Sequence, residues 1–161
     1  MPTHLVNLDA LLEREDFESA SEISVGSSAD PLFKLEELAM DRLFFGVLRK
    51  PHFQRETNNW SSDRISQFIK SFLDNDLIPA IIIWHSKNTN KIFVIDGAHR
   101  VSSLLAWVND DYGDGVISRK AFNYGIQPAQ KKFHITTKGM IEREIGSFRE
   151  LNDIAFRRAT T

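Results

Sequence analysis

The residues best suited to chemistry lie in the segment VIDGAHR, Val94–Arg100. An apolar run typical of a strand ends at Asp96, Gly97 permits a sharp turn, and a helical pattern follows. The first amides of a helix have no partner inside the helix, and together with the helix dipole they attract an anion such as phosphate. Arg100 can form a bidentate contact with phosphate oxygens, and His99 can donate a hydrogen bond or transfer a proton. The segment is therefore a candidate phosphate-binding turn.

A structural interpretation of the same segment stays open beside the chemical one. The carboxylate of Asp96 can position water or a divalent cation, but it can equally cap the helix that follows. Turns of the form strand, glycine, helix are common in proteins with both element types. In an ordinary turn of this kind, His99 and Arg100 would be exposed polar residues with no ligand. The local pattern does not separate these two interpretations.

Apolar periodicity predicts the elements that hold this turn. The runs AIIIW, after Pro79, and KIFVID are predicted as two strands of a hairpin, the first of them buried, joined by the turn SKNTNK. Val101–Trp107 is predicted as the helix after the glycine. Before the hairpin, a helix is predicted to begin at Ser61 or Ser62 and to end near Leu73.

Weaker patterns precede this region. Apolar residues at helical spacing in Leu5–Phe17 predict a short amphipathic helix. The serine-rich stretch Ser19–Asp30 is predicted as a loop, and Pro31 is predicted to open a second helix. The run LFFGVLRK is predicted as a strand that is interrupted by its glycine and ended by Pro51.

The C-terminal part of the chain is predicted to be mainly helical. Met140–Ile145 and Phe148–Arg158 have helical patterns, with Ser147 as the cap of the second, whereas KKFHITT is predicted as a strand. His134 in that run has no partners at the spacing of a metal-dependent nuclease. The segment NDDYGDG lacks the ligand spacing of a calcium loop, so it is predicted as a solvated loop. Its three carboxylates are Asp110, Asp111 and Asp114.

Length and composition define the fold class. A chain of 161 residues, with 42% hydrophobic and 26% charged residues, suits one globular domain. Its mixture of strands and helices predicts an α+β fold, a mixed β-sheet packed by helices. Three parts are expected within it: a helical segment over 1–40, a core over 41–116, and a mainly helical extension over 117–161.

Composition also excludes several functions. The absence of cysteine rules out disulfides, thiolate metal sites and a cysteine nucleophile. No apolar run approaches the roughly 20 residues of a membrane span, and no secretory signal is recognisable, so a cytoplasmic location is predicted. A net charge of −2 argues against a nonspecific DNA-binding surface. Four cations that could contact nucleic acid are predicted to be solvated surface residues: Arg119, Lys120, Lys131 and Lys132.

Two motifs in sequential order carry a family resemblance. The element FQRETNNW, Phe53–Trp60, is followed by RISQFIKSFLDNDLIPAIIIW and then by KIFVIDGAHR. This order resembles the DGQQR or DGQHR branch of the ParB/sulfiredoxin-like superfamily, in particular prokaryotic defence proteins of the GmrSD, SspE and DndB type. The resemblance covers Leu43 to Trp107. It implies a ParB-like nucleotide-binding domain of a DNA-modification or phage-defence system.

The resemblance also assigns residue roles. It implies that a nucleoside triphosphate with Mg²⁺ lies on the loop from Asp96 to Arg100, with Gln54 and Arg55 opposite it. The residues predicted to bind phosphate or nucleotide are Gln54, Arg55, Asp96, Gly97, Ala98, His99 and Arg100. Hydrolysis would then depend on Asp96, His99 and Arg100. Trp60 is predicted as a core or rim aromatic rather than a base-stacking platform.

Ala98 departs from the pattern of the family and keeps several functions open. Sulfiredoxin has a catalytic cysteine at this position, so reduction of a sulfinic acid is excluded. Related defence proteins most often have glutamine there, so hydrolysis is less secure than binding. The alternatives are a nonenzymatic interaction domain that has lost hydrolysis, and a DNA-binding or nuclease-associated module. DNA and a nuclease are therefore candidate partners.

Overall fold

The computed structural model describes residues 5–17, 34–125 and 128–159. Within these residues there are six β-strands and six α-helices. The strands are β1 Leu5–Val6, β2 Arg14–Glu15, β3 Leu48–Pro51, β4 Trp60–Ser61, β5 Ile82–His85 and β6 Ile92–Asp96. The helices are α1 Leu43–Val47, α2 Ser62–Leu73, α3 Ala98–Asn109, α4 Val116–Ala121, α5 Pro128–Glu144 and α6 Phe148–Ala159. Single 3₁₀ turns span Asp9–Leu11 and Leu35–Leu38.

The strands form two sheets. The larger has the order β2-β3-β6-β5, in which β2 and β3 are parallel, β3 and β6 are parallel, and β5 and β6 form the predicted antiparallel hairpin. The smaller sheet pairs β1 with β4 in antiparallel fashion. The predicted α+β class, a mixed sheet packed by helices in a single domain, is therefore confirmed.

Helix α3 is the centre of the hydrophobic core. Every residue from Val101 to Trp107 is buried, so this helix is covered on all sides rather than along one stripe. Helix α2 packs against both α3 and α5 and contributes Ile65 and Ile69, which are fully buried. Burial of one such side chain stabilises the fold by about 1.5–3 kcal/mol. The helix that begins beside Gly97 is thus fixed by the core behind it.

The cap of α2 was correctly located from sequence. The Ser61 hydroxyl accepts a hydrogen bond from the Arg64 amide at 3.3 Å, and the helix ends at Leu73 as predicted. Ser147 likewise caps the last helix and forms a reciprocal capping box with Glu150. The predicted loop over Ser19–Asp30 and the predicted helix start at Pro31 lie outside the described residues.

Three secondary-structure predictions are wrong. Leu5–Phe17 is not a helix but two short strands joined by a 3₁₀ turn, because its apolar side chains fill the core from strand β1 and that turn. KKFHITT lies inside helix α5, where Ile141 and His134 are buried and the tertiary contacts override the β-propensity of the segment. In LFFGVLRK only the last part is a strand, since Leu43–Val47 form helix α1.

The first strand of the hairpin is also less buried than predicted. Strand β5 is at the edge of the sheet, and its side chains are half-buried or exposed, with Ile82 55% exposed. Its partner β6 lies inside the sheet, and Phe93 and Val94 are completely buried on opposite faces. The continuous apolar pattern of AIIIW therefore does not indicate a central strand.

The segment NDDYGDG is a folded part of the core rather than a solvated loop. Asp111 is completely buried, and Tyr112 is 3% exposed. The Asp111 carboxylate accepts hydrogen bonds from the amides of Gly113, Gly115 and Ser118, at 2.9 to 3.0 Å, and from the Ser118 hydroxyl at 2.6 Å. The carboxylate therefore satisfies the loop amides, which water would otherwise bind, and one of its hydrogen bonds comes from the first turn of helix α4.

A buried histidine makes the stability of this region dependent on pH. Burial lowers the pKa of His134 below its ordinary 6.5, although the carboxylates of Asp111 and Asp114 lie near enough to oppose the shift. The backbone of Tyr112 also opposes the shift, and the ring is packed so closely that it lies where a Cβ at Gly113 would be. The unfolded chain therefore takes up a proton at a higher pH than the folded chain, so stability is lost as the pH falls below about 6.5.

His134→Leu is expected to flatten this dependence. One proton taken up only by the unfolded state changes the free energy of unfolding by at most about 1.4 kcal/mol per pH unit. Urea unfolding between pH 7 and 5 measures the slope, and the exposed His52→Leu is the matched control. An unchanged slope in His134→Leu would show that the ring does not titrate as described.

Candidate functional site

The segment VIDGAHR forms a strand–glycine–helix turn, as the sequence predicts. Strand β6 ends at Asp96, Gly97 has a φ of +95°, and helix α3 begins at Ala98. This φ lies in the left-handed region, which glycine adopts without strain. A Cβ at Gly97 would also lie 3.1 Å from Ile81 Cγ1 and 3.0 Å from Arg100 Nη2. Glycine therefore lets the chain turn sharply between the strand and the helix.

The Arg100 side chain folds back over this turn. Its Nη2 donates to the Ala80 carbonyl at 2.9 Å and to Asp96 Oδ2 at 3.0 Å. The side chain is only 16% exposed, and its buried Nε has no hydrogen-bond partner among the described residues. The contact described for the Asp96 carboxylate is with Arg100, and the N-cap position of α3 is occupied by Gly97, which has no side chain.

His99 lies against an indole ring. It stacks on Trp60 with the ring centroids 5.5 Å apart and an interplanar angle of 23°. Burial lowers the pKa of His99, and the positive charges of Lys50 and Arg64 lower it further against the opposing effect of Asp9. The imidazole is therefore neutral near pH 7. Its buried Nε2 has no hydrogen-bond partner among the described residues, so it is free to accept or donate one bond.

The motif FQRETNNW, Phe53–Trp60, contacts the motif VIDGAHR, Val94–Arg100, directly. Gln54 Nε2 donates a hydrogen bond to the carbonyl of Ile95, the residue before Asp96. The segment that carries Gln54 is held from the other side by Arg14, whose Nη1 donates to the His52 carbonyl at 3.1 Å and to the Gln54 carbonyl at 2.9 Å. The two motifs, distant in sequence, are thus joined directly. The Gln54 side-chain amide is used for this contact, whereas the side chain of Arg55 is exposed.

The two motifs enclose one cavity of about 410 Å³. It is lined by Phe53, Gln54, Arg55, Trp60, Arg64, Asp96, Gly97, Ala98, His99 and Arg100. All seven residues predicted to bind phosphate or nucleotide therefore line the same space. Its charged side chains are three arginines and one aspartate, so the cavity is locally basic on a chain whose net charge is −2.

Arg64 and Phe53 are lining residues that the sequence analysis missed. The Arg64 guanidinium carbon lies 4.7 Å from the centroid of the Trp60 ring, which fixes the charge beside the cavity by a cation–π contact. The sequence contains a pattern that indicates the Arg64 contact, because Arg64 follows Trp60 by four positions at the start of a predicted helix. Trp60 itself is half-buried and packs on Phe68, consistent with the predicted rim position.

A buried ion pair lies next to the site. Lys50 is completely buried and donates a hydrogen bond to Asp9 Oδ1, which also accepts from the Thr57 amide at 2.9 Å. Burial alone would raise the pKa of Asp9, but Lys50, the Thr57 amide and Arg14 together lower it below its ordinary value. This cluster connects the N-terminal segment to the strand and loop that carry the second motif.

Among the described residues that line the cavity, Asp96 is the carboxylate that would hold a magnesium ion arriving with phosphates. One of its oxygens accepts a hydrogen bond from Arg100, and the side chain is 64% exposed. Mg²⁺ is commonly bound by one or two carboxylates together with substrate phosphates and waters. Within residues 5–17, 34–125 and 128–159, no group of three or more histidine, aspartate or glutamate residues could hold a metal by itself.

The other candidate residues lie outside the cavity. Arg119, Lys120, Lys131 and Lys132 are exposed on helices α4 and α5, as predicted. None of the helices in the described part of the chain combines the length and apolar character required to cross a bilayer.

The fold and the cavity define an α+β domain with a basic site at a strand–glycine–helix turn. Comparison with protein families identifies it further: the profile of the GmrSD restriction endonuclease N-terminal domain matches residues 35–158. The chain belongs to this family, which confirms the predicted relation to restriction and phage defence. Searches of curated proteins and of solved structures found no match.

Proposed function

We propose that this domain binds a nucleoside triphosphate, accompanied by Mg²⁺, in the cavity between the two motifs. The observation that carries the proposal is the placement of Arg55, Arg64 and Arg100 around a helix N-terminus in one cavity of about 410 Å³. Such a volume lies within the 300–1,000 Å³ range of small-molecule sites. The wider ParB-like relation, suggested by the sequence motifs, agrees with this proposal.

Each part of the site has a distinct role in the proposal. The first amides of α3, at Ala98 and His99, donate to phosphate oxygens together with the positive end of the helix dipole. Arg55 and Arg64 add charge from the opposite side, and each charge-assisted hydrogen bond is worth about 1.5–3 kcal/mol. Arg100 lines the cavity and adds its positive charge there, while its Nη2 keeps the contacts with Asp96 and Ala80.

Hydrolysis is a separate step with its own support. Neutral His99 would act as a general base for the attacking water once ligand binding exposes its unpartnered Nε2, which is buried in this structure. The arginines would stabilise charge on the transferred phosphoryl group and on the departing nucleoside diphosphate. Ala98, however, contributes no polar side chain where related proteins most often have glutamine. Binding without turnover, in an interaction domain, is therefore the second candidate. A phosphate-release assay with each of the four ribonucleoside triphosphates separates the two.

The binding proposal is tested by calorimetry with a matched pair of variants. Arg64→Ala is expected to weaken triphosphate binding at least tenfold in the presence of Mg²⁺, because it removes one cation from the cavity. Lys70→Ala removes the same charge from the exposed surface of the same helix and is expected to leave the affinity unchanged. Equal affinities for Arg64→Ala and the unmodified protein, or no binding of any triphosphate, would refute the proposal.

DNA binding remains the alternative of a different class. It predicts duplex affinity that falls steeply with salt, as expected when lysines and arginines displace counterions. The exposed cations on helices α4 and α5 are the surface on which it would depend. A nuclease partner and a cytoplasmic location stay predictions from the sequence.

A further inference from the structure

Phe53 is an exposed aromatic residue at the cavity. Its side chain is 68% exposed, yet it lies beside the arginines and the glycine turn. A single exposed apolar residue is common on protein surfaces and needs no explanation by itself. The position of this ring is unusual because it lines a cavity whose other side chains are mostly polar or charged.

The exposed ring is held in place by other aromatic rings. Phe17 contacts it edge to face, with centroids 5.8 Å apart and an interplanar angle of 85°. Phe17 in turn packs edge to face on Phe93, which is completely buried, at 5.5 Å, and lies 4.9 Å from the ring of Trp84. The Phe53 ring is therefore supported from the core, so that little side-chain entropy is lost when a ligand stacks on it.

The other large aromatic residue of the cavity, Trp60, is half-buried and already has ring partners. Trp60 is stacked by His99, approached by Arg64 at 4.7 Å and packed edge-on by Phe68 at 5.7 Å. Among the described residues that line the cavity, Phe53 therefore presents the more exposed aromatic ring. Planar bases stack on such surfaces, and because every base has a π-face this interaction is tolerant of base identity.

We propose that Phe53 is the stacking platform for the base of the bound nucleotide. This inference rests on the proposed function and specifies its substrate class: a nucleoside polyphosphate rather than an inorganic polyphosphate, with weak discrimination among bases. Phosphate would be bound by the arginines and the helix amides, and the base by Phe53 in the same cavity.

The test compares two ligands that differ only in the nucleoside. Calorimetry with Mg²⁺ measures the affinities for a nucleoside triphosphate and for inorganic tripolyphosphate. Phe53→Ala is expected to weaken nucleotide binding about 5- to 150-fold, the range for loss of one stacked base, and to leave tripolyphosphate binding unchanged. Phe53→Trp is expected to restore nucleotide affinity. Tyr124→Ala removes an aromatic ring that is 79% exposed and does not line the cavity, so it is the matched control.

The outcomes separate this inference from the proposal on which it rests. If both ligands bind and Phe53→Ala weakens both equally or neither, the platform is refuted while triphosphate binding stands. If neither ligand binds, the proposed function fails and the platform falls with it. Binding of oligothymidylate without binding of free nucleotide would assign the ring to single-stranded nucleic acid and overturn the inference.

Discussion

Replacement of Asp111 by alanine is expected to lower the free energy of unfolding by about 3–5 kcal/mol. The carboxylate is completely buried and accepts four hydrogen bonds, three from backbone amides and one from the Ser118 hydroxyl. Alanine would leave these donors buried without partners, at a cost of about 1–3 kcal/mol for each one that cannot reach water. Because small domains are stable by only about 5–15 kcal/mol, the loss would be visible in urea or thermal unfolding.

The adjacent aspartate provides the control for this effect. Asp110 has a 58% exposed side chain that pairs with Lys138 at the surface, and its backbone is left-handed with a φ of 51°. Asp110→Asn keeps a residue that tolerates this conformation and is expected to change stability by less than about 1 kcal/mol. Equal losses for the two variants would contradict the structural role assigned to the buried carboxylate.

Asp9→Ala is expected to lower the free energy of unfolding by a similar amount, about 3–5 kcal/mol, for a different reason. It would leave the Lys50 ammonium completely buried without its counter-ion, which is more destabilising than the loss of the pair as a whole. The pKa of Asp9 is lowered in the folded state, so its contribution is present above the ordinary 3.8 and is lost as the pH falls below that value. Chemical denaturation at neutral pH measures the loss.

The double variant Asp9→Ala/Lys50→Met distinguishes an unpaired charge from a packing defect. If the buried ammonium is the cause, removing it should recover part of the stability lost in Asp9→Ala. A double variant less stable than Asp9→Ala would indicate that Lys50 is stabilised by other contacts, and would contradict this account.

The local part of the site could be predicted from the sequence. The turn at Gly97 follows from an apolar strand pattern, a residue without a Cβ and a helical pattern within one short segment, and the Ser61 cap is local in the same way. The joining of Gln54 to Ile95 is not local, since it depends on the parallel pairing of β3 with β6. Only the resemblance to a family, and not periodicity, placed those motifs together.

The wrong predictions share one physical cause: whether a side chain is buried depends on residues that are distant in the sequence. Asp111 is in a polar sequence that favours solvent, but it is buried because its carboxylate satisfies the amides of its own loop. Phe53 is the opposite case, because an apolar residue is exposed. Its aromatic neighbour Phe17 comes from a remote segment, and the Phe53 ring remains exposed at the cavity. Neither result is visible in the spacing of nearby residues.

The strand order has a consequence for the sequence of events in folding. The hairpin β5–β6 and helix α3 are contiguous, whereas β2 pairs Arg14 with Lys50 and β3 pairs Leu48 with Ile92 across long stretches of chain. The entropy of closing those loops is lost before their contacts are gained. We expect the hairpin and its helix to assemble early and the β3 segment to dock late, so that the cavity between the two motifs forms only in the last steps of folding.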